Sequence, residues 1–161
     1  MRIFTTLLLW TLTLSAISQT NDDHKTLRIF IFAGQSNMVG SDSKVKDIKR
    51  FPPYAGLEEA QEKTLFPYCL GRENKTRSQG WEALAPINNI VGPELSFARK
   101  VTEHIKAPIA IIKVAAGGTH LGGDWNPDEP TGFKMYPLAL ETIRTALANL
   151  DKQKINYRLE G

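Results

Sequence analysis

The sequence predicts an α/β domain built on a parallel sheet. Three observations carry that prediction. Two runs, LRIFIFA at 27–33 and IAIIKVA at 109–115, are almost continuously apolar, as strands buried on both faces of a parallel sheet are. Two further segments space their apolar residues as one face of a helix. Each strand run is followed by a loop and then a helical segment, the order that parallel crossovers produce.

Taken in order, Arg2 gives a positive start, residues 3–14 an apolar core, and Ala16-Ile17-Ser18 small residues at the spacing a signal peptidase reads. Residues 1–18 are therefore expected to be a secretory signal, with Gln19 opening the mature chain. The apolar run is short for a membrane span, so the protein is expected to be secreted or periplasmic, without stable membrane insertion. Residues 19–26 form a polar lead-in to the strand at 27–33. Across residues 41–90 the periodicity dissolves. Pro52, Pro53, Pro67 and Pro86, with scattered charges, describe long loops with short helices, of the kind that rim functional sites. Within them Asn74-Lys75-Thr76 is a glycosylation sequon, which argues for a surface loop.

Order returns at Pro93, which with Glu94 suits a first helical turn. Leu95, Ala98, Val101 and Ile105 line one face, and Pro108 stops the helix. The strand at 109–115 runs into Ala116-Gly117-Gly118-Thr119. A loop through Asp124-Trp125-Asn126-Pro127 precedes a helix that starts near Pro137, with Leu140, Ile143, Leu147 and Leu150 on one face. Residues 155–159 approach a third strand. Two strands and the beginning of another leave both helix faces short of sheet to cover. The chain is therefore expected to be C-terminally incomplete, and to be poorly folded and nearly inactive alone.

Composition narrows the function. A length of 161 residues allows one domain, and 42% apolar with 23% charged residues is ordinary for a globular protein. The net charge of +3 is too small and too dispersed for a nucleic-acid footprint. The group Lys44, Lys46, Lys49 and Arg50, interspersed with Asp42 and Asp47, reads as a solvated loop. Cys69 is the only cysteine, which leaves no internal disulfide and reads as a buried or idle thiol.

Ligands of open parallel sheets bind at the carboxyl ends of the strands. Two stretches fall there: Gly34-Gln35-Ser36-Asn37-Met38 and Gly117-Gly118-Thr119-His120. A serine on a strand-to-helix turn is placed for acyl transfer, although a serine in that position also serves as a helix cap. Glycines at 117 and 118 let a second backbone approach the same point, where an N–H stabilises an oxyanion; a Gly-Gly pair is also a common turn.

The blocks FAGQSNMVG, GPELSFA and KVAAGGTHLGGDWNP together resemble the carbohydrate-esterase branch of the SGNH hydrolases, the sialate O-acetylesterase and acetylxylan-esterase-like proteins. The resemblance spans residues 27–161. It implies a flavodoxin-like three-layer α/β/α sandwich and hydrolysis of acetyl esters on sugars, with an acetylated carbohydrate as partner and no cofactor. By position it makes Ser36 the nucleophile, with its own N–H and that of Gly118 as oxyanion donors. Gln35 and Asn37 would shape the nucleophile turn and, with Gly117 and Thr119 of the facing loop, would bind substrate. Asp124 and Trp125 would lie on the sugar-facing rim, Trp125 alternatively packing under the loop. Glu94 would hydrogen-bond the nucleophile loop or simply sit at a helix N-terminus.

Two family blocks are absent from these residues: a Gln-Gly-Glu expected after the third strand, and the Asp-x-x-His that carries the general base. The three histidines are poor substitutes. His24 is in the lead-in, His104 is at a helix end remote from the strand carboxyl ends, and His120 follows the oxyanion glycines as a rim or packing residue. His120 and Asp124 alone are too few for a metal site. A secreted sugar-binding or interaction module without catalysis is the alternative. A nucleotide or flavin binder is disfavoured by the missing Gly-x-Gly-x-x-Gly spacing.

Overall fold

The computed structural model describes residues 24–73 and 75–161; the expected signal at 1–18, the start of the lead-in and the sequon's Asn74 lie outside the described residues. The chain runs β1 (Leu27–Gly34), α1 (Ser36–Val39), β2 (Gln61–Leu65), β3 (Tyr68–Leu70), β4 (Thr76–Arg77), β5 (Ala83–Leu84), α2 (Pro93–His104), β6 (Ile109–Ala115), α3 (Met135–Gln153) and β7 (Tyr157–Leu159). Short 3-10 turns cover Val45–Arg50 and Pro52–Tyr54. Among the described residues no helix is long and apolar enough to cross a membrane.

β6 is the centre of the sheet, and every one of its residues is buried. It pairs in parallel with β1 from Arg28↔Ile109 to Gly34↔Ala115. β7 lies parallel to β1 on the far side, with Leu27↔Tyr157 to Ile29↔Leu159 in register. On the other edge of β6, β2 and β3 follow one another as two parallel pieces. The β2 piece hydrogen-bonds near the start of β6, and the β3 piece near its end. β4 and β5 add antiparallel edges to β3 and β2. The expectation of long loops with short helices across 41–90 holds for the two 3-10 turns and is corrected for the rest: this segment also supplies four strands of a seven-stranded sheet. Each is two to five residues long, and β2 buries only Thr64 fully, so its own pattern carries no strand signal. Pairing with β6 makes it a strand.

The period of two along each strand sorts side chains to opposite faces. Phe30, Phe32, Phe66 and Ile111 meet Leu95, Ala98 and Phe97 of α2 on one face. There the rings of Phe30 and Phe97 meet edge-on at 4.9 Å. On the other face Ile29, Ala110 and Ile112 meet Ala146 and Leu150 of α3, and Val114 and Cys69 meet Met135, Leu138 and Ala139. The result is a three-layer α/β/α sandwich with a mostly parallel sheet. Both helices have sheet to cover, because β2 and β3 widen it. α3 starts two residues before Pro137, which sits in the first turn where its missing N–H is not needed. It ends at Lys154, with φ of 56°.

Candidate active site

β1 and β6 end side by side, and their following loops are tied directly: Ala116 N–H donates to Gly34 O at 3.1 Å. The chain then turns at once into α1. A Cβ on Gly34 would stand 2.8 Å from Met38 Cβ, so glycine is what lets this one-turn helix fold back onto its strand. At its other end Gly40, with φ of 87°, closes the turn by donating to Ser36 O at 2.9 Å. Its Cβ would lie 2.5 Å from Val91 O. Ser36 is thereby presented at the carboxyl edge of the sheet, half-buried. A Cβ on Gly117 would come 3.8 Å from Ser36 Cβ. The two stretches singled out from sequence therefore meet.

Gln35 caps α1. Its Oε1 accepts from Ser36 N–H at 3.0 Å and from Ser36 Oγ at 2.7 Å. The hydroxyl is thus held by an amide oxygen, which orients it without being able to take its proton. Among the described residues no histidine hydrogen-bonds Ser36. Gly118 is exposed at φ of 70°; its carbonyl accepts from Arg72 Nη1 at 3.4 Å.

Beneath α1 lies an ion pair. Lys113 Nζ, from the centre of β6, donates to Glu94 Oε2 at 2.6 Å and to Val39 O at 3.3 Å. Its side chain is 1% exposed and that of Glu94 2%. Burial pushes the Lys113 ammonium below its ordinary pKa, while the Glu94 carboxylate acts in the opposite direction.

A serine and a glycine loop converge on one sheet edge, and the family comparison agrees with the family that the sequence blocks resemble. The sequence model of the carbohydrate esterase, sialic acid-specific acetylesterase family matches residues 26–157. The chain belongs to this carbohydrate esterase family. Among solved structures it is similar to the X-ray structure of a protein from Arabidopsis thaliana, at 22% identity and a TM-score of 0.47, covering 73% of this chain and 50% of that one. No curated protein matches it.

In this member of the family the loop after β6 differs from the expected rim. Asp124 is 5% exposed and points inward. Its Oδ2 accepts from His120 N–H at 3.1 Å, and its carbonyl accepts the first amide of α3, from Met135, at 2.7 Å. Asp124 therefore anchors the loop. Trp125 takes the packing alternative. It lies against the Met135 and Leu138 cluster, with its indole N–H donating to Thr119 Oγ1 at 3.1 Å. Thr119 is itself buried and bonded to Ala116 O, so it too braces the loop.

His24 and His104 are exposed, at the start of β1 and the end of α2. His120 extends into solvent and reaches 3.7 Å from Asp124 Oδ2. Among the described residues no group of three His, Cys, Asp or Glu side chains is placed to hold a metal ion. Sequence reasoning missed Arg72, which lies 3.5 Å from Asp124 and over Phe133. It also missed Lys113, whose only signal is a lone charge inside IAIIKVA. Beside α1 opens a cavity of about 610 Å³, lined among others by Asn37, Gly40, Lys44, Phe51 and Tyr54.

Proposed function

We propose that this chain carries the nucleophile of a secreted or periplasmic serine O-acetylesterase that removes acetyl groups from carbohydrate. The approach of Gly117 to Ser36 at the adjoining ends of β1 and β6 carries this proposal, in a chain of a carbohydrate esterase family. Ser36 Oγ attacks the acetyl carbonyl while a general base takes its proton. The Gly118 N–H donates to the developing oxyanion. Collapse expels the sugar hydroxyl, which receives that proton, and leaves acetyl-Ser36. Water, deprotonated by the same base, then releases acetate and restores the hydroxyl. We assign the base to an Asp-x-x-His segment that these 161 residues do not contain.

The cavity beside Asn37 supports a sugar-sized occupant, since small-molecule sites span about 300–1,000 Å³. Phe51 and Tyr54, both about half exposed, offer aromatic surface to the apolar face of a sugar ring, and the charged groups around it suit hydroxyls. Secretion is supported by the pattern of residues 1–18.

The bond from Ser36 Oγ to Gln35 favours one other reading, a non-catalytic sugar-binding module. Assays of 4-nitrophenyl acetate hydrolysis and of acetate release from O-acetylated sugars, on protein from the complete coding sequence, decide between them. Ser36→Ala is expected to lower kcat by roughly 10³-fold or more. Turnover unchanged in that variant would rule out Ser36 as nucleophile. Sugar binding without Ser36-dependent hydrolysis would establish the module.

A further inference from the structure

We propose that Lys113 and Glu94 are a positioning pair for the Ser36 turn: Lys113 Nζ holds the Val39 carbonyl at the end of α1, and Glu94 holds Lys113. The proposal deepens the esterase reading and rests on it for its consequence in turnover. A four-residue helix has no stability of its own, because one turn fixes several dihedrals for a single hydrogen bond. Its place must come from tertiary contacts. Gly34 and Gly40 set how closely α1 approaches β1 and the Val91 backbone, but both act through shape. Lys113 supplies a directional donor to a carbonyl at the helix C-terminus, where a cation is favourable.

The pair is unlikely chemistry for a core. Two charges with side chains 1% and 2% exposed carry a desolvation penalty that an apolar pair of similar volume would avoid. Packing alone therefore gives no reason for them. The surroundings are also shaped to admit them: a Cβ on Gly92 would fall 2.4 Å from Lys113 Nζ and 2.3 Å from Glu94 Oε2. Position 92 thus leaves room for the ammonium between Glu94 and α1. Through Val39, which lies three residues after Ser36, the pair fixes the direction in which α1 presents the serine hydroxyl. An error of about 1 Å in such a position costs on the order of 10²-fold in rate.

Three variants of the complete protein test this. Lys113→Met should lower the melting temperature, because it leaves Glu94 buried without its cation. The double variant Lys113→Met/Glu94→Leu should recover most of that loss. Its kcat should nevertheless fall roughly 10- to 100-fold at unchanged KM. Amide exchange at Val39 and Gly40 should quicken at least about tenfold while β6 amides keep their protection. Ser36→Ala, run alongside, separates the two ideas. If the wild-type protein shows no Ser36-dependent hydrolysis, the esterase reading fails, and exchange at Val39 and Gly40 still decides whether the pair holds α1. A double variant with wild-type melting, wild-type exchange at Val39 and Gly40, and wild-type kcat where there is activity would overturn the proposal.

Discussion

Gly118 and Gly40 both take left-handed backbone conformations, with φ of 70° and 87°, but they differ in what surrounds them. Nothing lies within 4 Å of a Cβ on Gly118, whereas one on Gly40 would press into the Val91 carbonyl at 2.5 Å. Gly118→Ala is therefore expected to cost only the left-handed strain, about 1–2 kcal/mol, and Gly118→Asn less. Gly40→Ala adds an overpacking cost of about 1–3 kcal/mol. Denaturant midpoints at unchanged slope should rank the variants in that order; equal losses at 118 and 40 would show that the Val91 contact relaxes freely. At this scale the sequence was partly legible. Ser36, Gly117 and Gly118 stand in loops that follow strongly apolar strands, so their shared sheet edge follows from topology. Asp124 was expected on the rim and is buried, while Trp125 takes the packing alternative, because a loop residue's exposure depends on what packs beneath it. Here that is Arg72, from a distant segment, and the start of α3. Lys113 was passed over because its neighbours made the strand legible, and its partner Glu94 is nineteen positions away.

Among the elements, β1, β6, α2 and α3 were readable because each carries a long periodic or continuous apolar pattern. β2 to β5 were not, because strands of two to five residues bury too few side chains to mark themselves. β6, an apolar strand with its outer edge otherwise unpaired, recruits Gln61–Leu65 and Tyr68–Leu70 by backbone hydrogen bonding. The turns at Val45–Arg50 and Pro52–Tyr54 are then held over α2. Arg99 of that helix donates to Pro53 O at 2.6 Å and to Ala55 O at 2.8 Å, and Ile48 and Leu57 enter the core. This arrangement leaves Phe51 and Tyr54 facing the cavity beside Asn37. Replacing both with alanine should raise KM for an O-acetylated sugar about tenfold or more, the scale of losing an aromatic contact of about 1.4 kcal/mol. Turnover of 4-nitrophenyl acetate, which has no sugar ring, should stay within about twofold. A parallel loss on both substrates would mean that the two aromatics support the fold of the turn and do not contact sugar.

Across the whole molecule, β6 belongs to both cores at once. Ile111 faces the α2 layer and Ile112 the α3 layer, each fully buried. From sequence, two strands and a beginning were too little sheet to cover two helices, and poor folding was the expectation. The four further strands widen the sheet that the helices cover, with Cys69 of β3 on the α3 face and Phe66, between β2 and β3, on the α2 face. The two faces should therefore unfold together, with β6 as the shared element. Ile111→Ala and Ile112→Ala are each expected to lower stability by about 2–5 kcal/mol, in one transition that coincides by far-UV circular dichroism and tryptophan fluorescence. Below that transition both variants should keep the Ser36 site, because its alignment comes from seven paired positions between β1 and β6 and not from any single side chain. Two separated transitions, or dye binding to exposed apolar surface in the wild-type protein at 25 °C, would show instead that one helix layer is held independently of the sheet's other face.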